Sequence, residues 1–133
     1  MPSAFLQKKL KNVRGYTIHW YASCGKVGMM VEVSLRDKKE GVVFHCVFTE
    51  EFTAALETAE VYMHVWNPRS VGVKVGDDMW PVLAQALSEM EGSASFYTRM
   101  CGGATLYTHL YDLLERYAQA CADYPGAKVE VEW

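Results

Sequence analysis

The stretch YTIHWYASCGKVGMMVEVSLRDKKEGVVFHCVF, residues 16–48, decides the fold. It holds three segments, 16–23, 27–36 and 42–48, rich in the aromatic and β-branched residues that suit a pleated, half-buried surface. Between them lie Cys24-Gly25-Lys26 and Asp37-Lys38-Lys39-Glu40-Gly41, polar connections of hairpin length. Two successive hairpins predict an antiparallel meander of three strands.

Side chains alternate between the two faces of a strand, so parity assigns them. Ile18, Trp20 and Ala22, then Met29, Val31, Val33 and Leu35, then Phe44, Cys46 and Phe48 form the apolar set expected on the core face. The opposite parity gathers His19, Tyr21, Glu32, Ser34, Arg36 and His45. Two imidazoles, a carboxylate and a guanidinium on one face can bind an anion or move a proton. Met30, Val43 and Val47 share that parity and are costly to leave wet, which makes the same face a candidate subunit interface. An ordinary solvated sheet face is the plain alternative, since alternation alone produces such faces.

Upstream, Phe5, Leu6 and Leu10 share one side of a helix expected over 3–12, with Lys8, Lys9 and Lys11 on the other. Downstream, Thr49 is the expected cap of a helix over 50–60, with Glu50 and Glu51 favoured in its first turn by the helix dipole. Residues 61–66 fit helix or strand, and Asn67-Pro68 stops the pattern. SVGVKV (70–75) alternates as a short strand. Asp77-Asp78 caps a helix expected over 79–91, closed by Gly92. Residues 93–101 are ambiguous, and Gly102-Gly103 breaks the chain. Over 105–123, Leu106, Leu110, Leu113, Leu114, Tyr117 and Cys121 make one apolar helical stripe. AKVEVEW (127–133) alternates as a last strand. The order α-β-β-β-α-β-α-α-β predicts an α+β fold, a mainly antiparallel sheet with helices packed on one face.

At 133 residues the chain fits one domain, with a core that needs no disulfide or metal. Half of the residues are hydrophobic and 22% are charged, which excludes bulk disorder. No apolar run is long enough to span a bilayer, and the N-terminal charges follow rather than precede the apolar patch, so neither a membrane nor a secretory route is expected. Cys24, Cys46, Cys101 and Cys121 are scattered, without the paired spacing of a zinc site, and read as free thiols of a cytoplasmic protein. No metal or cofactor is implied.

The charge is lopsided. Residues 1–39 carry eight basic and two acidic side chains (+6), and residues 40–133 carry five and fourteen (−9), giving −3 in all. The first half has the element order of a double-stranded RNA-binding domain, and its basic third suits phosphate. The likeness stops at element order, because Thr49-Glu50-Glu51 puts acid where such a domain needs lysine. Nucleic acid is therefore disfavoured.

Other leads are thinner. Cys101-Gly102-Gly103 precedes a helix, a setting that can lower a thiol pKa or hold an anion, yet it also reads as a simple turn. His109, Asp112 and Arg116 have the spacing of ordinary helix-surface pairs. No nucleophile, base and orienting group stand together, which argues against an enzyme. The expectation is a non-enzymatic protein-binding domain, a small acidic adaptor, inhibitor or immunity-like protein, forming a homodimer. The alternative is a small-molecule pocket or small enzyme built on the histidine face.

Overall fold

The computed structural model describes residues 22–23, 26–27 and 29–133. The expected helix over 3–12 lies outside them, as do His19, Tyr21 and Cys24. Two short strands, β1 (Ala22–Ser23) and β2 (Lys26–Val27), pair antiparallel by themselves. The main sheet has three antiparallel strands, β3 (Met30–Asp37), β4 (Gly41–Thr49) and β5 (Lys128–Glu132), in the order β4-β3-β5.

The β3–β4 hairpin is where the sequence places it. Asp37 turns the corner, its Oδ2 accepting from the amides of Lys39 (3.0 Å) and Glu40 (3.1 Å). The other neighbour of β3 differs from the expected meander. The C-terminal strand β5 lies there, with Val33 opposite Val131 and Leu35 opposite Val129. The physical reason is pairing by burial: β5 brings two apolar residues onto the core face level with Val33 and Leu35. The expected 27–36 strand is also divided, since Lys26–Val27 belongs to the small hairpin and β3 starts at Met30.

Helices fill the core side. A 3-10 turn (Glu50–Phe52) leads into α1 (Thr53–Thr58) and, after Glu60 in the left-handed region (φ 63°), α2 (Tyr62–Trp66). The ambiguous 61–66 is therefore mostly helix. Thr49 does not cap. Its hydroxyl is buried without a partner among the described residues, and Glu50 instead joins Met29, donating its amide to the Met29 carbonyl (3.1 Å) and accepting the Met29 amide at Oε1 (3.2 Å).

The strand expected over 70–75 is replaced by a 3-10 turn (Pro68–Val71) closed by left-handed Gly72. Pro68 opens that turn, and Ser70 donates its hydroxyl to Asn67 O (2.7 Å). Only the end of the stretch lies along β5, through the Val75–Lys128 bridge and the Val129 amide on Lys74 O (2.9 Å).

Three longer helices follow: α3 (Gly76–Gly92), α4 (Ala94–Cys101) and α5 (Ala104–Asp123). Asp78 caps α3 by accepting the amides of Lys74 (3.0 Å) and Val75 (3.2 Å), which hold its carboxyl below the usual carboxylate range. Gly102-Gly103 is the stop of α4. Gly102 sits at φ 89°, where a side chain would be strained, and Gly103 donates to Thr98 O (2.9 Å). The stripe on α5 behaves as its period implies: Leu110, Leu114, Tyr117 and Cys121 are buried and Leu106 and Leu113 partly so. Each such aliphatic side chain contributes roughly 1.5–3 kcal/mol on burial. Tyr117 stacks on Phe44 of β4, with ring centroids 5.3 Å apart, and so fixes α5 to the sheet.

The start of α3 presses on the end of α5. A Cβ on Gly76 would stand 2.7 Å from Tyr124 O and 3.0 Å from Cys121 O, both backbone atoms that cannot yield separately. Gly76→Ala is therefore expected to cost about 1–3 kcal/mol. Gly92→Ala, with open space around it, should gain up to about 1 kcal/mol from helix propensity. Urea midpoints of the two variants moving in the same direction would contradict the close contact.

Candidate functional site

The sheet face turned away from the helices is built in rows across three strands. Val47, Glu32 and Glu132 form one row, His45, Ser34 and Glu130 the next, and Val42, Arg36 and Lys128 the third. Directly opposite residues on one face stand about 5 Å apart. The face thus brings together four of the six expected site residues: Glu32, Ser34, Arg36 and His45. His19 and Tyr21 lie outside the described residues.

The third row departs from parity. The register shifts between Leu35 and Arg36, so that Leu35 faces Phe44 while Arg36 faces Val42. Val43 is the extra residue of a β-bulge. It packs against the core, and Val42, half exposed, takes the outer position expected for Val43. Val47 and Met30 keep their expected parity, opposite Glu32 and Thr49 respectively, and both are partly exposed.

The rows form the floor of an open groove of about 780 Å³. Asn67, Pro68 and Arg69, from the turn that follows α2, line it together with Trp133. Trp133 is held by its indole N–H, which donates to Trp66 O (2.9 Å), and the residue as a whole is 69% exposed. Charges on the floor are paired diagonally. Arg36 Nε lies 3.2 Å from Glu130 Oε1, and His45 Nε2 lies 3.8 Å from Glu32 Oε1, an ion pair whenever the imidazole is protonated. Arg69 and Glu132 make no ion pair among the described residues.

Catalysis would need these groups linked. Ser34 stands directly opposite His45, but no hydrogen bond joins them among the described residues. The His45–Glu32 separation exceeds hydrogen-bond reach. No group of three or more metal-ligating side chains occurs among the described residues. The face places paired charges beside an apolar side chain. Compared with known proteins, the chain matches no family model, no curated protein and no solved structure.

The remaining leads resolve as structure. Cys101 is buried, and burial pushes its thiol pKa up, the reverse of an activated nucleophile. Cys46 and Cys121 are buried too, with their thiols raised, Cys121 to about 12. Labelling by a thiol-specific disulfide reagent at pH 8 should therefore leave these three cysteines unmodified until denaturant is added. Rapid modification of Cys101 in the native protein would restore the reactive-thiol reading. Arg116 pairs with Asp112 on the surface of α5 (2.8 Å), while His109 packs its ring against Phe52, 5.9 Å between centroids. Burial lowers the His109 pKa.

Parity did not reveal Arg69, Asn67 or Trp133, which reach the site from other parts of the chain. Glu130 and Glu132 did carry a signal, the alternation of AKVEVEW, which lacked only the identity of the neighbouring strand.

Proposed function

We propose that the chain is a non-enzymatic protein-binding domain of the cytoplasm that recognises its partner through the outer sheet face. The supporting observation is the open groove itself. It offers paired charges, the exposed Trp133, and two charges, Arg69 and Glu132, free of ion pairs among the described residues. Aromatic and arginine anchors within a polar rim are the usual composition of a protein-recognition surface. Among the described residues no helix is long and apolar enough to cross a membrane.

A small-molecule ligand is the second reading. It is favoured by the groove's volume, which falls within the range of ligand sites, and disfavoured by its breadth and polar lining. The test compares affinity capture by the wild type with that by a variant combining Glu132→Lys and Arg69→Glu. Neither side chain makes a hydrogen bond or ion pair among the described residues, so folding should be unchanged. A protein retained by the wild type should bind this variant roughly tenfold more weakly. Glu89→Lys, far along α3, should bind it normally. Equal capture by all three proteins would remove the outer face from consideration.

A further inference from the structure

We draw no further inference here: the strongest candidate, the edge of strand β4 (Gly41–Thr49) that no strand pairs with among the described residues, is an unpartnered sheet edge, and nothing in the structure shows what covers it.

Discussion

Tyr117→Ala is expected to destabilise the fold by about 3 kcal/mol, while Tyr117→Phe is expected to stabilise it by about 1 kcal/mol. The ring is fully buried, stacked on Phe44 and 6.4 Å from Phe48 between centroids. Removing a buried aromatic side chain forfeits its transfer free energy and leaves a cavity, roughly 3–5 kcal/mol together. Its hydroxyl works against this, because it is buried with no hydrogen-bond partner among the described residues. An unsatisfied buried hydroxyl costs about 1–3 kcal/mol, which phenylalanine recovers and alanine offsets against the lost ring. The opposite signs separate packing from hydrogen bonding at one position. Urea titration of the three proteins measures both. Loss of stability in Tyr117→Phe would mean that the hydroxyl has a partner in solution, a buried water above all.

Tyr117 also shows what could be read in advance. Its place on the apolar stripe follows from helical period alone, because which side of α5 is buried is a local property. The β3–β4 hairpin is legible for the same reason: period-two alternation and an Asp37 turn lie within one short stretch. Partner choice is not local. Nothing within residues 27–36 or 127–133 states that Val33 will stand opposite Val131, since many alternating strands offer similar faces. The site inherits this division. Glu32, Ser34, Arg36 and His45 were placed together by parity within one hairpin, whereas Arg69 and Trp133 arrive through the turn at Pro68 and the docking of β5. Val43 fails for a finer reason. One inserted residue reverses the parity of everything beyond it on the strand, and composition carries no mark of the insertion.

The second large effect is expected from alkali: stability should fall steeply above pH 9. In the unfolded chain the thiols ionise near their ordinary value of 9.0. In the folded chain Cys121 stays protonated to about 12 and Cys46 is raised as well, because burial excludes water from both; at Cys46 the neighbouring Cys121 thiolate adds to the rise. The sign follows from proton counting. A group whose folded pKa is raised contributes fully below the unfolded value, and its contribution is lost as pH climbs toward the folded one. Each thiol then removes about 1.4 kcal/mol per pH unit, so Cys121 alone removes about 4 kcal/mol by pH 12. Tyr117, held neutral by burial well above its ordinary 10.0, adds to the loss at the upper end of the range. Against an ordinary domain stability of about 5–15 kcal/mol, the loss from Cys121 alone is a large fraction. Urea unfolding followed at half-unit steps from pH 8 to 10.5 should show the slope begin near 9 and steepen past 10. Cys46→Ala with Cys121→Ala should flatten the first part and leave the tyrosine part in place. A wild-type stability that is level to pH 10.5, or thiolate absorbance appearing in the folded protein near pH 9, would show that water reaches these thiols and that the interface between α5 and β4 is not closed.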